Sequence, residues 1–118
     1  MKESQIQAAV ISHWKAFGLP NTLVAAVPNA GAFRQPGLKR GLFDLVVMGG
    51  DYLQGRTGWL ELKTAKGILG PHQIEFKELC IANGIPYAVA IGRDEPITVL
   101  ELWKVVRPSP NLLTARAA

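Results

Sequence analysis

The stretch Gly58-Trp59-Leu60-Glu61-Leu62-Lys63-Thr64 constrains this chain more than any other. Leu60 and Leu62 alternate with Glu61 and Lys63, which is the period of a half-buried β-strand. The leucines therefore point to one face and the charged pair to the other. Upstream, Phe43-Asp44-Leu45-Val46-Val47-Met48 is a second apolar run with a carboxylate at its start. Between the two, Gly49-Gly50-Asp51 begins a turn and Gln54-Gly55-Arg56-Thr57-Gly58 returns the chain, so an antiparallel hairpin is expected. If the strands pair, Asp44, Glu61 and Lys63 converge. Two carboxylates and one ammonium at a point are the groups that metal-dependent phosphodiester hydrolysis needs.

The rest of the chain supplies layers for that hairpin. Residues Glu3 to Phe17 are expected to be helical, because Ile6, Ala9, Val10, His13, Trp14 and Phe17 recur at helical spacing. Gly18 and Pro20 stop the helix. Leu23 to Val27 reads as a short buried strand, ended by Pro28-Asn29-Ala30-Gly31. Pro71 suits an early helical position. The helix it opens should run to about Asn83, with Phe76, Leu79, Cys80 and Asn83 as its inner stripe. Tyr87-Ala88-Val89-Ala90-Ile91 is apolar at both parities, as in a central strand covered on both faces. Asp94 is expected to cap a last segment from Ile97 to Val105, helix or strand, with Leu100 and Trp103 facing inward. Residues 1–107 are read as one domain and 108–118 as a loosely held tail, from its prolines and small residues. The order helix, strand, strand, strand, helix, strand, helix predicts an α/β fold, a small α/β/α sandwich with a mixed central sheet.

Composition bounds the function classes. With 118 residues, 48% of them hydrophobic, the chain can bury one sizeable core. No apolar run approaches the ~20 residues of a membrane span, so no membrane partner is expected. Met1 to Gln5 lead into an amphipathic segment and not an apolar one, so a signal peptide is not expected and a cytoplasmic setting is. The one cysteine, Cys80, fits a reducing compartment and gives no thiolate cluster for zinc. The net charge of +4 favours an anionic partner. From Gly31 to Gly41 the chain carries Arg34, Lys39 and Arg40 with no acid. A basic loop with glycines just before Asp44 suits a phosphate backbone, although a solvated surface loop reads the same way.

Each candidate also has an ordinary explanation. Glu-x-Lys occurs on any amphipathic strand, but here Trp59 shares the parity of Glu61 and Lys63, so that face is not uniformly polar. Asp44 can be a strand-start cap. Glu3 complements the dipole of its helix, yet it lies near the edge of the buried face and could look across to the sheet. Gln73 and His72 read as a solvated helix start, and His13 as packing at the core edge. Neither histidine has a partner at metal-ligand spacing. There is no G-x-S-x-G and no P-loop.

Taken in order, Glu3 on an opening helix, Pro28-Asn29, Lys39-Arg40-Gly41-Leu42-Phe43-Asp44-Leu45, Trp59-Leu60-Glu61-Leu62-Lys63-Thr64, Gln73-x-x-Phe76 and Asn83-Gly84 resemble a VRR-NUC domain, a branch of the PD-(D/E)XK nuclease superfamily. The resemblance spans roughly Glu3 to Trp103. One position departs from the family pattern, since Phe43 stands where a proline is usual before the metal aspartate. The resemblance implies a restriction-endonuclease-like fold. It implies Mg²⁺ or Mn²⁺ held by Asp44 and Glu61 with the Leu62 carbonyl as a third ligand, and Glu3 as a ligand of a second ion. Lys63 would act on the attacking water or on the charge at phosphate, and Gln73 would position substrate or the lysine. The implied activity is structure-selective DNA cleavage, at Holliday junctions or other branches, leaving a 5′-phosphate. As a stand-alone domain it resembles the phage and bacterial members, which implies a homodimer. Competing readings are a general nickase, a flap or restriction-type nuclease, or a non-catalytic DNA-binding module.

Overall fold

A computed structural model describes residues 1–28 and 36–109. Arg34 and most of the expected tail lie outside the described residues. The elements are α1 (Glu3–Phe17), β1 (Leu23–Ala26), β2 (Leu45–Met48), β3 (Gly58–Lys63), α2 (Pro71–Ala82), β4 (Tyr87–Ile91) and α3 (Asp94–Leu102). The strands form one sheet in the order β1-β2-β3-β4. The β1–β2 and β2–β3 pairs are antiparallel, and β3–β4 is parallel. The sheet is therefore mixed, as expected, with the predicted hairpin at its middle.

The parity of β3 decides which layer each side chain enters. Leu60 and Leu62 join Leu45, Val47 and Ala90 in a buried cluster with Ile6 and Val10 of α1 and Leu100 of α3. On the opposite face, Trp59, Tyr87 and Val89 pack around buried Phe43, Phe76 and Cys80, which brings in α2. Two helices on one face and one on the other give the α/β/α sandwich. Trp103, Val105 and Val106 close the first cluster beyond α3, so these side chains belong to the core, while Leu102 just before them is 48% exposed.

Several expectations shift. The Tyr87–Ile91 strand is not central: it pairs with β3 alone and forms an edge among the described strands. Its apolar run reflects helices on both faces and not strands on both sides. The last segment is a helix despite its β-branched residues, because packing of Leu100 outweighs propensity. Asp94 is its first residue rather than its cap, and Arg93 holds the cap position. In α2 only Phe76 and Cys80 are buried, while Leu79 is 52% exposed. In α1 the buried residues are Ile6 and Val10, and Phe17 at the expected stripe's end is half exposed. The α1 stop does fall at Gly18, whose N–H donates to the Trp14 carbonyl at 2.7 Å. A side chain there would collide with the Trp14 carbonyl and indole.

Phe43 is the joint between the sheet and α2. It is fully buried, with its ring 5.1 Å from Phe76 and 6.4 Å from Tyr87 in edge-on contacts. Trp59 meets Phe76 in the same way at 5.1 Å. Because Asp44 follows Phe43 directly, the ring fixes the direction in which the carboxylate enters the site. Phe43→Ala is expected to cost about 3–5 kcal/mol of stability, measured by urea unfolding. A loss below about 1 kcal/mol would mean that this aromatic cluster does not hold α2 to the sheet.

Candidate active site

Asp44, Glu61 and Lys63 do converge. Glu61 projects from the middle strand and is 1% exposed. Its Oε1 accepts the Asp44 backbone N–H at 3.2 Å, and its Oε2 accepts the Gln73 amide at 2.7 Å. Lys63 Nζ lies 3.3 Å from the same Oε2. In return the Asp44 carboxylate accepts the Leu62 N–H through Oδ2 at 2.8 Å. The strand start and the middle strand are thus laced by two reciprocal bonds, each from a backbone N–H to a carboxylate on the facing segment. Side chains from β3, from the segment leading into β2 and from α2 meet at one carboxyl group.

Gln73 is more than a solvated helix start. Its Oε1 accepts the Gly70 N–H at 2.9 Å while its amide donates to Glu61. The first bond is half of a capping box, satisfying a donor that the helix leaves open. The second ties the beginning of α2 to the buried acid. Gly70 was not singled out in the sequence; a glycine directly before a helix-opening proline is the signal it offered.

Glu3 reaches the same place from α1, with Oε1 3.9 Å from Lys63 Nζ. Lys63 therefore stands between two carboxylates, with its side chain 11% exposed. Among the described residues no three His, Cys, Asp or Glu side chains are grouped to hold a metal. The close pair is Asp44 and Glu61. Leu62 sits in register with Ala90, with its side chain in the first core cluster.

The electrostatics follow from this crowding. The Glu61 carboxyl is pushed up from 4.5 to about 7, first by burial and then by the Asp44 charge, against the opposing pull of Lys63. A buried acid raised in this way is the signature of a functional site more often than of a stabilising one.

The site opens into a cleft of about 730 Å³. Glu3, Asp44, Glu61 and Gln73 line it, together with Lys39, Arg40 and Gly41. Two of the three basic loop residues thus flank the acids, and Arg34 lies outside the described residues. Gly41 holds this wall against α2. Its φ is +88°, and a side chain there would collide with the His72 backbone. Lys39 also pairs with Glu75 at 3.7 Å, both well exposed, a contact worth little in water. His72 lines the cleft but is exposed, with Nδ1 3.9 Å from Glu75. His13 lies apart, against Phe17 at 4.8 Å. No helix among the described residues is long and apolar enough to cross a membrane.

With this geometry in view, two solved structures are similar to the chain. One, described as a VRR_NUC domain protein, superposes with a TM-score of 0.73 at 24% identity, covering 87% of this chain and 88% of that one. Another, described as a VRR_NUC domain, gives 0.61 at 20% identity over 84% and 94% of the two chains. No family model and no curated protein matches the sequence. The chain thus has the fold of VRR_NUC domain proteins, the fold that the ordered motifs implied.

The raised Glu61 acid links stability to pH. Between pH 4.5 and about 7 the folded chain holds a proton that the unfolded chain releases, so this group's contribution to stability falls as pH rises through that window. Asp44→Asn keeps an oxygen for the Leu62 N–H and removes the repulsion. The variant should therefore gain on the parent as pH rises, by about 1 kcal/mol above pH 7 without added metal. Thermal melts of both chains from pH 4 to 8 check this. A gap that does not widen with pH would mean that Asp44 does not raise Glu61.

Proposed function

We propose that the chain is a metal-dependent, structure-selective DNA endonuclease acting as a homodimer on branched DNA such as Holliday junctions. The observation that carries this reading is the Asp44–Glu61 pair lining a cleft together with Lys39 and Arg40, with Lys63 3.3 Å from Glu61, on the VRR_NUC fold.

The donor set suits a hard divalent ion, Mg²⁺ or Mn²⁺. Burial first, and then the Asp44 charge, push the Glu61 carboxyl up to about 7, and a cation held by the two carboxylates would relieve the repulsive part. Asp44 and Glu61 would hold it, with the Leu62 carbonyl as a further ligand and Glu3 for a second ion. When bound, such an ion polarises the scissile phosphate and lowers the pKa of a coordinated water. The chain's own groups do the rest. Lys63, held between Glu61 and Glu3, places a positive charge where charge develops on the phosphate oxygens, or orients the attacking water. Gln73 fixes the Glu61 carboxylate by donating to its Oε2 at 2.7 Å. The strand end would carry a 5′-phosphate.

Cleavage of a labelled four-way junction, with the matched duplex as control and with or without Mg²⁺ or Mn²⁺, tests the reading. Junction cutting that needs the ion is expected. Cutting of both substrates alike would favour a general nickase or a flap or restriction-type enzyme. Binding without cutting in either metal would favour a non-catalytic DNA-binding module. Asp44→Ala should abolish turnover. Lys63→Ala should lower it about 10²-fold or more while DNA binding persists; normal turnover would return Lys63 to a salt-bridging strand residue. Glu61→Ala is the poorer probe, because it leaves Lys63 buried without its nearest counter-charge.

Neutralising Arg34, Lys39 and Arg40 together should weaken binding to all DNA sequences and reduce the slope of log K against log salt by about 2–3. An unchanged slope would remove this loop from the DNA surface. For the homodimer, light scattering should report about twice the 12.8 kDa chain mass.

A further inference from the structure

The connection from β3 to α2 carries Ile68, which at 83% is the most exposed large apolar side chain described. Lone aliphatics are common on protein surfaces, so the argument rests on where this one is held. The Gly67 N–H donates to the Thr64 carbonyl at 2.9 Å, closing a turn. Gly67 also lies against Lys63, so that a Cβ there would stand 2.9 Å from the lysine Cδ. On the other side Leu69 packs beside Phe43 and Phe76. With Leu69 turned inward, Ile68 is directed out. Gly70 lines the cleft, and two residues span at most about 7 Å, so Ile68 lies within that distance of a cleft-lining residue. Next to it Lys66 is exposed, and it has no ion-pair partner among the described residues. In the basic loop, Leu38, 46% exposed, likewise precedes the cleft-lining Lys39 and Arg40.

On the nuclease reading above, we propose that Ile68 is a wedge that enters an interrupted base stack beside the cut, with Lys66 on the neighbouring phosphate. The wedge selects DNA whose stacking is already broken, at a branch, flap or nick, over continuous duplex. Apolar side chains enter base steps at the expense of unstacking, and that expense is smallest where the stack is already open. Burying Ile68 between bases removes its apolar surface from water, a gain available only on the broken substrate. Lys66 adds a contact that positions without reading sequence.

The experiment places 2-aminopurine at the branch point of a four-way junction and at the same sequence in a duplex. Both are bound by the Asp44→Asn chain, so that nothing is cut. Fluorescence should rise on the junction and little on the duplex. Adding Ile68→Ser should abolish the rise, and Ile68→Leu should keep it. In the cutting chain, Ile68→Ser should lower the junction-to-duplex ratio of kcat/KM about tenfold with an unchanged melting temperature. An unchanged fluorescence rise with the serine would overturn the wedge. A serine variant whose solution mass halved would place Ile68 between copies of the chain and overturn it equally. A parent chain that cuts neither DNA would overturn the nuclease reading, while the fluorescence would still decide the wedge. A chain that bound neither DNA would sink both.

Discussion

A carboxylate almost wholly removed from water, on the middle strand of a small sheet, is the constraint to which the rest of the site answers. Burial of an unpaired charge is costly. Glu61 is tolerated because the Asp44 N–H, the Gln73 amide and the Lys63 ammonium all turn toward it. Each of those donors comes from a different segment. The acid thereby dictates how the approach to β2, the β3 strand and the start of α2 must meet. The same acid is crowded by Asp44, and three donors do not bring it back to an ordinary acidity. The arrangement therefore does not maximise stability.

The aromatic cluster beneath α2 makes that arrangement rigid. Phe43, Phe76, Trp59 and Tyr87 meet edge to face on the side of the sheet that carries Glu61 and Lys63. Such contacts are directional as well as apolar. Asp44 follows one of these rings and Gln73 lies one helical turn before another, so both inherit their positions from packing. Gly41 performs the same service for the basic wall, since only a residue without a side chain lets that loop close against His72.

Strand periodicity carried most of the site. Alternation in Leu60–Lys63 put Glu61 and Lys63 on one face, and a single turn between two apolar runs placed Asp44 opposite them. Both inferences use local geometry, and local geometry survives folding. Glu3 and Gln73 were harder, because their default roles as helix-end residues are equally consistent with the sequence. Only tertiary contact reveals that Gln73 caps its own helix and holds Glu61 at once. The edge position of β4 was hidden for a related reason. An apolar run reports helices above and below a strand but not neighbours beside it. The last segment followed its reading in one respect: Leu100 and Trp103, expected to face inward, do lie in the core, and Val105 joins them.

Lys63 is oriented by few groups. Its ammonium is nearly buried and lies within 3.3 Å of Glu61 and 3.9 Å of Glu3. A lysine on an exposed strand would lose its orientation to solvent and rotamer freedom. Here the two acids hold it before any substrate arrives, so the ordering entropy has been met in folding rather than in the reaction. Cations coming into the cleft would compete with Lys63 for Glu61. Glu3 thus meets the strand cluster from the first helix, 3.9 Å from Lys63, while keeping half of its own side chain in solvent.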